Sequence, residues 1–161
     1  ATLIAVRPLL EASLRQWGQG LSSGPTGFRW SPLFETEPVG GPPGQPPYIN
    51  AVLVVDGLVA GLGADGARAA AGEALLEQLQ ALEHDFGRER QERWAPRSLD
   101  LDLLWWGDLS CHTPRLQLPH PLWRQRDFVL APLAALAGLA PEPGCAVIAL
   151  AGRPGWPEQL A

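Results

Sequence analysis

The sequence predicts an α+β fold in which helices pack on a mainly antiparallel sheet. Three observations predict it. A β-branched run at 48–56 is typical of a strand. Leucines recur at helical spacing over 1–17 and again from 73 onward. Strand-like and helix-like segments alternate along the chain with hairpin-like neighbours, as in antiparallel α+β domains.

The first third of the chain predicts a helix followed by strands and loops. Apolar side chains at helical spacing predict a helix over 1–17, despite a proline in its first turns. The glycine- and serine-rich stretch 18–27 is typical of a loop, and 28–36 alternates enough to predict a strand. Residues 37–47 hold too much proline and glycine for regular structure, which indicates a binding loop or disorder. The run 48–56 predicts the clearest strand.

The middle of the chain predicts a second helix and a further strand. Residues 57–72 are rich in alanine and glycine and look like an insertion. Leucines on one face predict a helix that begins at Glu73 and ends at Gly87. The apolar run 98–106 predicts a strand, with Trp105 in the core.

The last third predicts a helix and a short strand. Pro132 suits the first turn of a helix, and 145–150 predicts a last strand. We expect residues 151–161 to be a C-terminal tail. We take 1–161 as a single domain, since this length fits one.

The composition excludes several classes of function. With 46% apolar and 18% charged residues, the chain is not broadly disordered. Its apolar runs fall short of the ~20 residues that cross a bilayer. A net charge of -5 argues against broad binding to nucleic acid or membranes. Two cysteines predict free thiols in a reducing compartment, so we expect a cytoplasmic protein. Separately, we expect a monomer whose partners are small molecules.

Two acidic residues interrupt an apolar run. Asp100 and Asp102 alternate with leucines, so on a strand both carboxylates would face one way. Two such charges repel each other unless a hard cation lies between them. Mg²⁺ prefers oxygen ligands and commonly bridges carboxylates to substrate phosphates. The alternative is a solvent-facing strand surface, because Asp-x-Asp is a short motif with many chance occurrences.

Arginines lie on both sides of the acidic pair. The upstream group comprises Arg88, Arg90, Arg93 and Arg97. The downstream group comprises Arg115, Arg124 and Arg126, together with His120. Guanidinium forks match phosphate oxygens, which favours a polyanion held by metal. The alternatives are ion pairs with Glu89 and Glu92 on a solvated loop, and a buried, hydrogen-bonded ring for His120.

Aromatic and amide side chains suggest a site for a flat heterocycle. Tyr48 is the only tyrosine, and Asn50 follows it on the same strand face. Phe128 could supply the opposite wall. The alternative is that Tyr48 packs at a strand end and Phe128 lies in the core.

Three blocks resemble those of one known family. Residues 93–104 read Arg-Trp-Ala-Pro-Arg-Ser-Leu-Asp-Leu-Asp-Leu-Leu. Pro-His-Pro at 119–121 is followed by Arg-Asp-Phe-Val-Leu-Ala-Pro-Leu at 126–133. Thr-Glu-Pro-Val-Gly at 36–40 precedes Tyr-Ile-Asn-Ala at 48–51. In their order along the chain, the three blocks resemble the signatures of 6-hydroxymethyl-7,8-dihydropterin pyrophosphokinase, an enzyme family of folate biosynthesis.

The resemblance implies a fold and an activity. It implies a ferredoxin-like α/β sandwich with three substrate loops. It also implies transfer of diphosphate from ATP to the hydroxymethyl group of the dihydropterin, with release of AMP. Two Mg²⁺ ions would be bound by Asp100 and Asp102, and ATP phosphates by Arg88 and Arg97.

The resemblance assigns further residues to the two substrates. Those placed near the nucleotide are Glu83, Arg115, His120 and Arg126. The pterin would lie between Tyr48 and Phe128, with Asn50 and the backbone of Thr36 to Val39 at its edge.

The chain also departs from the family pattern. The family begins with a strand that reads Ile-Ala-Leu-Gly-Ser/Ala-Asn-Leu, and no segment before the first helix matches it. We therefore expect a fragment without its first strand. Three alternatives stay open: another Mg²⁺-dependent nucleotidyl- or phosphotransferase, a catalytically inactive nucleotide-binding fragment, and a nucleic-acid-binding ferredoxin-like module.

Overall fold

A computed structural model describes most of the chain. It covers residues 2–20, 22–36, 44, 47–58, 65–87, 99–137, 147–149 and 156. Its helices and strands are α1 (Thr2–Trp17), β1 (Ser22–Trp30), β2 (Phe34–Thr36), β3 (Tyr48–Asn50), β4 (Leu53–Leu58), α2 (Asp65–Gly87), β5 (Cys111–His112), β6 (Gln117–Leu118), α3 (Asp127–Leu136) and β7 (Val147–Ala149). The predicted α+β class is confirmed.

The chain divides into two compact units. One comprises Ala1–Thr26 and Gly57–Pro121, and the other comprises Gly27–Asp56 and Leu122–Ala161. The prediction of a single domain for 1–161 stays a prediction, since compact units of this kind also occur within one domain.

In the first unit, α1 packs against α2. Val6, Leu10 and Leu14 are buried, and their spacing of four residues places them on one face of α1. The indole Nε1 of Trp17 donates a 2.8 Å hydrogen bond to the carbonyl of Ala71, which joins the end of α1 to α2. The helix predicted over 1–17 is thus confirmed.

Helix α2 begins earlier than the sequence predicts. It starts at Asp65 instead of Glu73, although it ends at Gly87 as predicted. The alanine-rich stretch is helical because alanine has the best helix propensity. Gly72 allows a close approach, since a Cβ there would lie 2.9 Å from the Leu116 side chain. Part of the 57–72 stretch therefore packs as helix, and its status as an insertion stays a prediction.

A hairpin and an aromatic pair complete the core of this unit. The buried cluster comprises Trp106, Leu109, Cys111, Leu116 and Leu118. Trp106 meets Trp17 edge to face, with ring centroids 5.0 Å apart. β5 and β6 pair antiparallel, and the sequence analysis predicted no strand there. Cys111 is a free thiol, as predicted, and Cys145 lies outside the described residues.

The prediction that Trp105 lies in the core is wrong. Trp105 is 39% exposed, whereas Trp106 is 8% exposed. Leu103 and Leu104 are both half-buried, so the alternation of buried and exposed residues shifts by one position there. The turn at Gly107, which has a φ of 55°, follows immediately.

The second unit is a small antiparallel sheet covered by a helix. The strand order is β3-β2-β7, with Phe34 opposite Asn50 and Ala149, and α3 packs on all three strands. α3 begins at Asp127, so Pro132 lies inside the helix instead of in its first turn. The fully buried proline ring offsets the backbone hydrogen bond that it removes.

Two predicted strands are each interrupted. The run 28–36 breaks at 31–33, and the run 48–56 breaks at 51–52. At the breaks, Ser31 donates its N–H to the carbonyl of Val52, and its Oγ accepts the Val52 N–H, both at 2.9 Å. Trp156 donates its indole N–H to the Ser31 carbonyl and meets Trp30 edge to face. The side-chain hydroxyl thus replaces a bond of the sheet ladder.

Two further expectations about local structure have clear outcomes. The loop predicted at 18–27 is wrong, because β1 begins at Ser22 and pairs with β4, which overrides the glycine and serine content. The short strand expected within 145–150 is confirmed as β7.

Within the described ranges, no helix is both long and apolar enough to cross a membrane.

An exposed ion pair joins β1 to β4 and predicts a small, pH-dependent effect. Arg29 Nε lies 2.7 Å from Asp56 Oδ2, and this contact holds the pKa of Asp56 below its usual range. The stabilisation is therefore present above the ordinary aspartate pKa and is lost as pH falls through the lowered value. We expect Asp56→Asn to reduce the free energy of unfolding at pH 7 by less than about 1 kcal/mol, because both side chains are about half exposed.

Denaturant unfolding of the two proteins between pH 7 and pH 2 measures this effect. The difference between wild type and Asp56→Asn should vanish at the acid end and shrink in 1 M salt. A difference that grows towards acid would contradict the assignment.

Candidate functional site

The acidic pair lies on an extended segment that is not a strand. Residues 99–106 form no strand, so the prediction for 98–106 is wrong over its described part. The predicted alternation still holds at the pair: Asp100 and Asp102 are exposed, Leu99 is buried and Leu101 is half-buried. Packing of the leucines, rather than a sheet ladder, therefore turns both carboxylates towards solvent.

Hydrogen bonds from outside the segment hold its backbone. Oε1 of Glu83, near the end of α2, accepts the N–H of Leu101 at 2.7 Å. The N–H of His120 donates to the carbonyl of Leu104 at 2.6 Å. Glu83 and His120, which the resemblance places near the nucleotide, thus both contact the backbone of the acidic segment. Their roles at the nucleotide stay predictions.

Arg115 forms an ion pair that the sequence analysis missed. Its Nη1 lies 2.9 Å from Oε1 of Glu77 on α2, and both side chains are about half exposed. No sequence pattern indicates this pair, since the two residues are 38 positions apart. Such exposed pairs are weak, so a phosphate group could displace Glu77 from the guanidinium.

The residues predicted to bind the flat heterocycle lie in the second unit. Thr36 pairs with Tyr48 across β2 and β3, and Asn50 Nδ2 donates a 3.1 Å hydrogen bond to Thr36 Oγ1. Tyr48 is 46% exposed, which favours a ring that is available to stack. Phe128 is half-buried at the start of α3, and the Arg126 guanidinium lies 5.4 Å from its ring centroid.

The predicted site residues divide between the two units. The first unit holds Glu83, Asp100, Asp102, Arg115 and His120. The second holds Thr36, Tyr48, Asn50, Arg126 and Phe128. Arg88, Arg97 and Val39 lie outside the described residues, as do Arg90 and Arg93. That all of them form one site stays a prediction.

The acidic pair suits one kind of metal site and not another. Among the described residues, no group of three or more His, Cys, Asp or Glu side chains could hold a metal ion. A cation enclosed by protein ligands alone therefore does not fit these residues. Mg²⁺ is commonly held by one or two carboxylates together with waters and substrate phosphates. Asp100 and Asp102 fit that second arrangement.

Known proteins resemble this chain over most of its length. Residues 8–138 match the family model described as 7,8-dihydro-6-hydroxymethylpterin-pyrophosphokinase. A protein of Pseudomonas aeruginosa named 2-amino-4-hydroxy-6-hydroxymethyldihydropteridine pyrophosphokinase is 43% identical over 107 residues, or 66% of this chain and 59% of that protein. One of the same name from Synechocystis is 42% identical over 97 residues, or 60% and 44% of the two chains.

A larger plant protein also matches. The "Folate synthesis bifunctional protein, mitochondrial" of Arabidopsis thaliana is 37% identical over 112 residues, which is 70% of this chain and 18% of that protein. The chain thus spans less than two thirds of the length of each of these relatives.

Proposed function

The chain belongs to the 7,8-dihydro-6-hydroxymethylpterin-pyrophosphokinase family, and from this we propose that it transfers diphosphate from ATP to 6-hydroxymethyl-7,8-dihydropterin. The products would be AMP and the pterin diphosphate, in folate biosynthesis. The observation that carries the proposal is the exposed carboxylate pair on a backbone held at Leu101 and Leu104. It lies within the part of the chain that matches the family model.

The proposed reaction transfers a diphosphate group and changes no oxidation state. The hydroxymethyl oxygen attacks the β-phosphorus of ATP, and a new oxygen–phosphorus bond forms. The bond from that phosphorus to the oxygen shared with the α-phosphate breaks, so AMP leaves with this oxygen. The hydroxyl proton goes to solvent, and we assign no general base. Positioning and neutralisation of charge then supply most of the rate enhancement.

Two kinds of group would neutralise the charge on the triphosphate: magnesium and arginine side chains. Asp100 and Asp102 would hold magnesium, which when bound neutralises phosphate charge. Arg115 would exchange Glu77 for a phosphate oxygen, and an arginine fork binds such oxygens in a bidentate manner. Arg88, Arg97, His120 and Arg126 complete the proposed nucleotide contacts.

The pterin would bind to the sheet of the second unit. We propose that Tyr48 and Phe128 stack on the ring and that Asn50 reads its edge, with the Thr36 to Val39 backbone. The exposure of Tyr48 supports stacking. The bond to Thr36 supports an oriented amide at Asn50.

We further propose a cytoplasmic monomer, and the free Cys111 thiol supports a reducing compartment.

AMP release tests the proposed reaction. Purified protein is incubated with Mg-ATP, with and without 6-hydroxymethyl-7,8-dihydropterin, and nucleotides are separated by chromatography. We expect AMP to accumulate only when the pterin is present. Production of ADP, or pterin-independent AMP, would favour another phosphotransferase. No nucleotide turnover would contradict the proposal.

A substitution at Thr36 should weaken pterin binding selectively. Thr36→Val keeps the shape of the side chain but removes the acceptor that orients Asn50. A neutral hydrogen bond contributes about 0.5–1.5 kcal/mol, so we expect KM for the pterin to rise about 2- to 10-fold. KM for ATP should stay unchanged. Glu35→Gln, at the neighbouring position of β2, is the control, and an equal rise there would contradict the role.

A further inference from the structure

We propose that Glu83 is a positioning residue that orders the acidic pair through the backbone amide of Leu101. This inference rests on the proposed function, because it assigns Asp100 and Asp102 to the metal and nucleotide. It differs from the role implied by the family resemblance, which places Glu83 at the nucleotide itself.

The hydrogen bond lies at the point that controls both carboxylates. Glu83 Oε1 accepts the Leu101 N–H at 2.7 Å, within the range of charge-assisted bonds. This N–H belongs to the planar peptide group that joins Asp100 to Leu101. Holding that plane restricts the backbone torsions on both sides of it. The direction in which the two aspartates leave the backbone is thereby restricted as well.

The segment needs such a restraint because it lacks a sheet ladder. Residues 99–106 are not in a strand, and two neighbouring carboxylates repel each other. The His120–Leu104 bond restrains the segment after the pair. The Glu83 bond restrains it between the two aspartates.

Glu83 stands on a rigid support. It lies on α2, where Leu75, Leu79 and Leu82 are buried. A side chain on a packed helix holds its partner more accurately than one on a loop.

The geometry does not make Glu83 a third metal ligand. Glu83, Asp100 and Asp102 are all described, and no group of three such side chains in the described residues could hold a metal ion. The Oε1 atom of Glu83 is directed at a backbone amide instead. Its effect on metal and nucleotide is therefore transmitted through Leu101.

The test compares Glu83→Ala and Glu83→Gln with Glu73→Ala, a control that makes the same change earlier on α2. Three quantities are measured: amide hydrogen exchange at Leu101 by NMR, Mn²⁺ affinity by calorimetry, and kcat and KM for ATP from AMP release. Thermal unfolding checks that each variant is folded.

We expect Glu83→Ala to speed exchange at Leu101 about tenfold or more, since bonds to charged groups are among the stronger ones. Mn²⁺ affinity and kcat should fall about tenfold, with KM for ATP within about twofold. Glu83→Gln should restore most of the loss, because its amide oxygen also accepts a hydrogen bond. Glu73→Ala should resemble wild type.

Several outcomes would overturn the inference. Unchanged exchange at Leu101 in Glu83→Ala would do so, as would a rise in KM for ATP with normal exchange, which indicates a nucleotide ligand. If Glu83→Ala does not fold, Glu83→Gln decides: fast exchange at Leu101, or a raised KM for ATP, overturns the inference, and wild-type values support it. Absence of AMP release by the wild type contradicts the proposed function instead, and the exchange measurement still stands.

Discussion

Asp100→Asn and Asp102→Asn should each lower kcat by about 10²–10³-fold, the effect of removing one preorganised electrostatic group from an active site. Both carboxylates are exposed and follow the alternation that buries Leu99. Replacing either one by its amide keeps the shape but removes a negative charge, so the remaining carboxylate would hold magnesium poorly. The loss should be partly recovered at high Mg²⁺.

The same substitutions should hardly change stability. Because the side chains are exposed, we expect the free energy of unfolding to change by less than about 1 kcal/mol. Relief of repulsion between the two charges could even stabilise the fold slightly. A turnover defect without a folding defect would separate a metal-binding role from a structural one.

Asp108→Asn is the matched control. Asp108 lies in the same unit, its side chain is 90% exposed, and it pairs with Arg68 at 3.1 Å. The same loss of charge there should leave turnover and its Mg²⁺ dependence unchanged. Near-normal turnover of Asp100→Asn or Asp102→Asn at limiting Mg²⁺ would show that the metal assignment is wrong.

Helices were predictable from the sequence where apolar residues recur at helical spacing. The spacing of Val6, Leu10 and Leu14 predicted α1, and the leucines before Gly87 predicted the end of α2. In both cases, side chains three or four residues apart share one face of a helix. The start of α2 was not predictable in this way, because the alanine- and glycine-rich stretch carries no apolar period.

Strand boundaries depended on contacts that are distant in sequence. The Ser31 hydroxyl ends one run and bridges to Val52, and the pairing of β1 with β4 extends β1 back to Ser22. At 99–106 the residues alternate as in a strand, yet they form no ladder in the structure. An alternating pattern predicts which side chains face solvent, but not whether a partner strand is present.

At the candidate site too, local patterns were predictable from the sequence, whereas contacts between distant residues were not. Motifs identified Asp100, Asp102 and Asn50, and the alternating leucines predicted that the first two share one face. The groups that hold them were not predictable, because Glu83–Leu101 and Asn50–Thr36 join residues 18 and 14 positions apart. Neither the amino-acid composition nor the hydrophobic periodicity of the sequence indicates such pairs. Only the packing of α2 and the register of β2 with β3 bring them together.

Among the substitutions proposed for this protein, Phe34→Ala should be the most destabilising. We expect it to lower the free energy of unfolding by about 3–5 kcal/mol. Phe34 is 2% exposed at the centre of the β3-β2-β7 sheet, which α3 covers. A cavity there removes packing beneath the strand that carries Thr36. Ile49→Ala, at an exposed position of β3, should cost less than about 1 kcal/mol. Urea unfolding measures both, and equal losses would mean that the described sheet lacks a core at Phe34.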